Sequence, residues 1–326
     1  PSAPAEAIAA LPHRAARRAL HPPQPGPYFA VDTGPLLLVG IDTGITNVLD
    51  ARQGAWLRRV SAASAKPKIL VTGSPLMVNG EHRPCAIAGG GTVDEVVRDP
   101  GHHYVAAIGG DIHNYQRYPV TLDDGRVIQY VVSGGGGAFM HATHTIPRID
   151  AIAGVDEAGF RCYPLRGDSL SFFSRAYAQR ARQLPFLGRR VRRIDPEQAA
   201  AYMAQRLGIT PAKPAARAVV VSDETRRSAE ALLDKKGPNV TGLLQPRMAE
   251  FLDWNTAPLF KHVLSVRATP AAIEIACIAA TGCVGDDRRA PEDRFAATLE
   301  GDRWVWRTLP AVSPAPPAGP DRPATR

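Results

Sequence analysis

A chain of 326 residues is long enough for two ordinary domains or one elaborated one. Hydrophobic residues make up 44% of it, which excludes wholesale disorder, and no apolar run approaches the ~20 residues that cross a bilayer. The net charge of +8 is carried almost wholly by arginine, so an anionic partner is compatible with the composition without being demanded by it.

Residues 1–27 are rich in Ala, Pro and Arg, end in HPPQPGP, and read as a lead-in loop or the remnant of an upstream part. The first residue is Pro1, so the chain is expected to be processed or a piece of a longer product, and its compartment stays open. An α/β alternation follows. Residues 28–32 and 36–41 flank a Thr-Gly-Pro turn and predict a strand pair. Asp50 and Gln53 have capping-box spacing, and Leu49, Trp56, Leu57 and Val60 share one helical face. KILVT (68–72) predicts a buried strand, and Thr92 with Glu95 opens a short helix.

YVAAI (104–108) is a continuous apolar run and predicts a central strand, followed by Gly109 and Gly110. Residues 118–122 and 127–132 flank Asp123-Asp124-Gly125-Arg126 and predict a hairpin, which the glycine run 134–137 closes. Composition changes after Pro147. Helices are expected over 169–177, from Asp195-Pro196 to Gly208, and over 223–234. A hairpin is expected over 259–266 and 272–278, and a last strand over 304–306. The tail 311–326 is proline-rich and predicts disorder.

Functional groups of open α/β sheets collect at the carboxyl ends of the strands. Asp111 and His113 lie there, after the central strand. On an extended segment alternate residues share a face, and a carboxylate beside an imidazole suits a divalent ion such as Zn, Mn or Fe. Alone, a D-x-H pair is as compatible with a hydrogen-bonded Asp and a core His. Arg117 has the chemistry to neutralise a phosphate oxygen or to brace the loop.

The segment GDIHNYQR (110–117), after a buried strand and before a hairpin ending in VVSGGGG, resembles the last motif of the calcineurin-like metallophosphoesterases, especially their purple-acid-phosphatase-like branch. Gly110, His113, Tyr115 and Arg117 match; Gln116 stands in an acidic place, and Asp111 replaces the first histidine. LVGIDTGITNVLDARQGAWLRRV and KPKILVTGSPLMV fit the family's preceding strand, helix and strand, so the resemblance covers roughly residues 27–145.

The resemblance implies an α/β fold: the carboxyl-terminal half of a layered sheet–helix metallophosphoesterase core over 28–147, then an α+β accessory region over 148–310. It implies a phosphoester substrate, with phosphatase or phosphodiesterase activity, and a pair of divalent or trivalent ions (Fe, Zn or Mn). Asp111 and His113 would be metal ligands, and Asn114, Tyr115 and Arg117 would contact substrate or shape the loop. The catalytic groups are expected upstream of residue 1, because the family's amino-terminal Asp-x-His, Gly-Asp-x-x-Asp and Gly-Asn-His motifs occur nowhere before Tyr28. Gly73 stands where the family has a histidine and offers no side-chain ligand.

Other readings compete. A phosphoesterase-like scaffold without catalysis is one, and a basic nucleic-acid binder centred on Arg180 to Arg193 is another, although that cluster lacks interleaved aromatics. His141 and His144 have i, i+3 spacing suited to one face of a turn near the site. His102-His103 lies at the opposite end of the central strand and reads as surface. Gly89-Gly90-Gly91 has the form of an anion-binding turn or of a plain loop. Cys85, Cys162, Cys277 and Cys283 show no zinc spacing, and only Cys277 and Cys283 are near enough to bridge a turn. Asp253 and Asn255 flank Trp254 with no chemistry assigned to them.

Overall fold

The computed structural model describes residues 26–137, 139–181, 192–233, 260–280 and 290–310. The lead-in up to residue 25, most of the basic segment 180–193, Asp253 to Asn255, Cys283 and the tail lie outside these residues.

In chain order the first part runs β1 (Phe29–Asp32), β2 (Leu37–Ile41), β3 (Val48–Leu49), α1 (Ala51–Ala62), β4 (Lys68–Thr72), β5 (Met77–Val78), β6 (Glu81–His82), β7 (Ala86–Ile87), α2 (Val93–Arg98), β8 (Tyr104–Gly109), β9 (Tyr115–Thr121) and β10 (Val127–Ser133). The second part runs β11 (Arg161–Tyr163), α3 (Arg166–Ala181), α4 (Pro196–Leu207), α5 (Asp223–Leu233), β12 (Lys261–Ala268), β13 (Ala272–Ala280), β14 (Asp293–Glu300) and β15 (Arg303–Thr308). The chain is therefore mixed α/β.

Seven strands form one mixed sheet in the order β1-β2-β4-β8-β10-β9-β11. Its centre, β2, β4, β8 and β10, is parallel, and β1, β9 and β11 join antiparallel. Both faces are covered, which is why the central strands read as continuous apolar runs. Leu37, Val39, Ile41, Leu70, Ala107, Tyr130 and Val132 face a core shared with Leu57 of α1 and Val93, Val96 and Val97 of α2. Leu36, Ile69, Val105, Ala106 and Val131 face the other way, against Ile273, Ile275, Cys277, Phe295 and Ala297 of a four-stranded antiparallel sheet, β12-β13-β14-β15. The layers are helices, mixed sheet and antiparallel sheet.

α1, α2 and α4 start where their caps predict, whereas α3 begins three residues before the expected Ser169 and runs on to Ala181. Asp50 accepts the amide of Gln53 at 2.8 Å, but the Gln53 side chain does not complete the box. It clamps the backbone of Asp42 instead, accepting its N–H at 2.8 Å and donating to its C=O at 2.9 Å. Thr92 and Glu95 form the full capping box. Gly208 ends α4 in the left-handed region at φ 64°.

Strand β9 begins three residues earlier than the apolar pattern predicts, at Tyr115. The segment YQR is paired on both sides: Tyr115, Gln116 and Arg117 face Ser133, Val132 and Val131 of β10 and Tyr163, Cys162 and Arg161 of β11. Two-sided pairing outweighs the polar composition. The side chains of Tyr115 and Arg117 then enter the space between the two sheets. There the Tyr115 hydroxyl donates to Asp293 Oδ2 at 2.7 Å, and Arg117 Nε and Nη2 reach the same carboxylate at 2.6 and 3.2 Å. Arg117 also stacks over Phe295, 4.6 Å from the ring centroid. Burial, then the Asp293 charge, holds the Tyr115 phenol protonated well above its ordinary range.

Removing one member of a buried ion pair strands its partner. Asp293→Ala is expected to lower the urea unfolding free energy by about 3–5 kcal/mol. The combined replacement Tyr115→Phe, Arg117→Met and Asp293→Leu should cost less than that single change; an equal or larger loss would contradict this account.

Candidate functional site

The site lies at the carboxyl ends of the parallel strands. β8 ends at Gly109, where an added Cβ would stand 2.3 Å from the Pro75 Cα, so only glycine lets the 73–75 loop pass this close. The Gly110 amide then donates to both Thr72 O (3.1 Å) and Gly73 O (2.9 Å), tying the start of GDIHNYQR to the end of β4. Opposite, Gly134 lets the glycine run close on the same loop, since a Cβ there would meet Ile112 O at 2.4 Å.

Residues 110–114 are not extended. Asp111 has φ 58°, and consecutive tight turns run from Ile112 N to Gly110 O (2.6 Å) and from Asn114 N to Ile112 O (2.8 Å). The expectation that Asp111 and His113 share a face by strand alternation is therefore corrected. The two glycines and the left-handed Asp111 turn the chain before β9 begins; aspartate tolerates that conformation better than most residues. Asp111 is exposed and His113 half-buried.

What gathers round His113 is His141. The His113 N–H donates to His141 Nδ1 at 2.8 Å, the rings stack at 4.7 Å, and the His141 N–H returns to His113 O at 3.2 Å. Phe139 closes the edge at 4.7 Å from the His113 ring. Because His141 Nδ1 accepts, the neutral ring carries its proton on Nε2. Burial and then the neighbouring His113 lower the proton affinity of His141, and Asp111 opposes them. His113 Nδ1 is buried without a hydrogen-bond partner.

Asn114 and Gln116 support this loop from beneath. Asn114 Nδ2 donates to His141 O at 3.2 Å, and its Oδ1 accepts from Gln116 Nε2 at 2.8 Å. Gln116 continues to Asn79, giving to its Oδ1 at 2.9 Å and taking its N–H at 2.8 Å. Tyr118 donates to the same Gln116 oxygen. Of the five residues expected at the site, Asp111, His113 and Asn114 are brought together. Tyr115 and Arg117 are not, because their polar atoms are committed to Asp293 between the sheets.

His141 and His144 separate. His144 is buried, its Nδ1 2.8 Å from Ser169 Oγ, and packs on Phe173. His262, which no motif singled out, reaches the glycine run from β12. Its N–H donates to Gly135 O at 3.2 Å, Ser133 Oγ lies 3.2 Å from its Nε2, and a Cβ on Gly135 would strike its ring at 2.3 Å. His102 is held by Val96 O at 2.8 Å, away from this cluster. The Gly90 carbonyl is taken by Arg58 at 2.7 Å.

The donors present do not complete a metal site. Among the described residues no group of three or more His, Cys, Asp or Glu is arranged to hold an ion. Gly73 adds no ligand, and a Cβ there would already press on Thr43 Oγ1 at 3.3 Å. Among the described residues no helix is long and apolar enough to cross a membrane, and Cys85, Cys162 and Cys277 are free thiols.

No protein-family model and no curated protein sequence matches the chain. Among solved structures it is similar to a purple acid phosphatase from yellow lupin (Lupinus luteus) seeds, at 16% identity over 35% of this chain, with a TM-score of 0.29. The match spans 24% of that phosphatase's length.

Asn114→Ala would leave one buried Gln116 N–H without an acceptor. The expected loss is about 1–3 kcal/mol in urea unfolding, and an unchanged midpoint would refute the network. Burial also holds His144 and His262 neutral, with pKa values pushed down to about 3 and about 4. Unfolded histidine takes up a proton near pH ~6.5 and these folded rings do not. Their stabilising contribution is thus full above that pH and declines as pH falls towards the folded values. Each should remove about 2 kcal/mol between pH 7 and 5. His144→Gln should flatten that dependence, and an unfolding free energy that is level across this range would count against it.

Proposed function

We propose that the chain carries the carboxyl-terminal half of a calcineurin-like metallophosphoesterase domain of the purple-acid-phosphatase-like kind, and that the complete protein hydrolyses phosphoesters. Residues 28–147 form the phosphoesterase part. Residues 148–310 form the accessory part, which contributes β11 and the antiparallel sheet. The observation that carries this reading is the GDIHNYQR loop itself. It leaves the central parallel strand where the ends of β4 and β10 converge, tied to Thr72 and Gly73 and packed under Gly134. It presents an exposed carboxylate, Asp111, beside a histidine whose Nδ1 is unpartnered.

In this reading Asp111 and His113 contribute to a site for Fe, Zn or Mn whose remaining ligands lie outside the described residues. His141 orients His113 by accepting its backbone N–H, and Asn114 fixes the carbonyl of His141. Tyr115 and Arg117 act at a distance, by anchoring β9 to Asp293. A second reading, a phosphoesterase-like scaffold that binds without catalysing, is favoured by one specific observation: among the described residues no group of three or more His, Cys, Asp or Glu is arranged to hold an ion, and Gly73 cannot add a ligand.

The two readings part on hydrolysis of p-nitrophenyl phosphate and its bis-ester with added Mn or Zn. This chain alone is expected to show no metal-dependent turnover. The product extended upstream is expected to hold about two ions and to turn over. His113→Ala should cut its kcat/KM by about a hundredfold. A folded, extended protein that neither holds metal nor hydrolyses either ester would leave the scaffold reading standing.

A further inference from the structure

A second concavity lies apart from the histidine cluster, between the 156–168 segment and the carboxyl end of α4. Its volume is about 660 Å³, within the range of small-molecule sites. One wall is apolar: Phe160, Leu165, Met203, Leu207 and Ile209 line it. Cys162 belongs to that wall, because burial pushes its thiol up to about 11 and keeps it uncharged. The first turn of α3, with Arg166, Gly167 and Asp168, faces the same space, and the opening amides of a helix favour negative charge.

Arg148, Arg161, Arg166 and Lys213 line the cavity together with Asp156, Glu157 and Asp168, and Asp150 just outside the lining offsets Arg148. Three of the cations are engaged. Arg166 pairs with Glu157, Lys213 with Asp168, and Arg148 with Asp150 while also capping Leu207 O at 2.9 Å. Arg161 is different. Its Nη1 donates to the carbonyls of Ala158 and Phe160, each at 2.7 Å, and among the described residues no carboxylate pairs with it. Arg166 is only 7% exposed, yet its Nε–H is buried without an acceptor while both its Nη atoms are used.

We infer that this cavity is a binding site for a small organic monocarboxylate with an apolar body. The carboxylate would pair with the Arg161 guanidinium beside the buried Arg166–Glu157 pair, and the body would lie on Phe160, Met203 and Leu207. A charge-assisted pair of this kind has the planar geometry that arginine offers to a carboxylate. Arg161 is the one lining cation without a carboxylate partner among the described residues, and a single such group favours a monoanion over a phosphate dianion. The three lining carboxylates add repulsion against a second negative charge. This site is independent of the proposed phosphoesterase centre, and its test runs in EDTA.

The probe is 3-phenylpropionate, followed by NMR titration and by calorimetry on the chain as described, with 3-phenylpropanol and inorganic phosphate as controls. Saturable binding of one 3-phenylpropionate per chain is expected. The alcohol and the Arg161→Met variant should each bind about tenfold more weakly, and phosphate should not displace the probe. Ala212→Trp, at an exposed position on the cavity wall, should abolish binding without touching the charged groups. It keeps the test decisive should Arg161→Met fold poorly. Absence of saturation up to about 10 mM, equal affinity for the alcohol, displacement by phosphate, or full binding by a folded Ala212→Trp protein would each overturn the inference.

Discussion

A mixed sheet and an antiparallel sheet meet across a buried layer, and in that layer the Asp293 carboxylate sits with three donors. Asp293 takes the Tyr115 hydroxyl and two nitrogens of Arg117, while Phe295 lies under the guanidinium. A buried arginine is tolerable only when its charge and hydrogen bonds are met together. The requirement fixes the register of β14 against β9, and through β9 it fixes the start of the loop that bears His113. Gln129 and Thr308 complete the guanidinium's shell at 3.4 and 3.2 Å, so β10 and β15 are drawn into the same constraint.

The loop inherits its rigidity from below as well as from the side. Asn79, Gln116 and Asn114 form a buried chain of side-chain amides that ends on the carbonyl of His141. Gln116 and Asn114 each use both donor and acceptor, and Asn79 bonds Gln116 through its Oδ1 and its backbone N–H, which leaves little freedom for the backbone between them. His113 is therefore held by two neighbours, His141 at its amide and Phe139 at its ring edge, while its own Nδ1 is left unpartnered. A side chain fixed in position but not satisfied is what a binding loop requires, and Asp111 stands exposed at the turn beside it.

Much of the first half was legible because local signals and tertiary packing agree. The apolar run at 104–108, the Thr92–Glu95 box and the DG hairpin all lie where their chemistry places them. Disagreement arises where a residue's partner is remote. Tyr115 to Arg117 read as loop because YQR has no strand pattern, and only β11 and Asp293 make it one. β14 went unseen because alanine carries its buried alternation, with Phe295 and Ala297 inward. His262 sits in an unremarkable KHV triplet, and its role depends on Gly135, whose missing Cβ makes room for the ring. Asp111 and His113 are singled out by residue type alone, and their mutual geometry is not legible, since a positive φ at Asp111 is invisible to alternation.

The tie between Arg117 and Asp293 spans 176 residues of sequence. At the roughly 5–20 residues per second of ribosomal synthesis, β9 waits on the order of ten to thirty seconds for its counterpart. Throughout that interval the face bearing Leu36, Ile69, Val105 and Val131 has no antiparallel sheet to cover it, and a guanidinium lies among those apolar side chains. The charge that is costly to bury in the finished protein then keeps the half-built sheet hydrated and hinders its stacking on another nascent chain. Arg117, the bolt between the layers in the folded protein, thus also has on that uncovered face the chemistry of a gatekeeper charge.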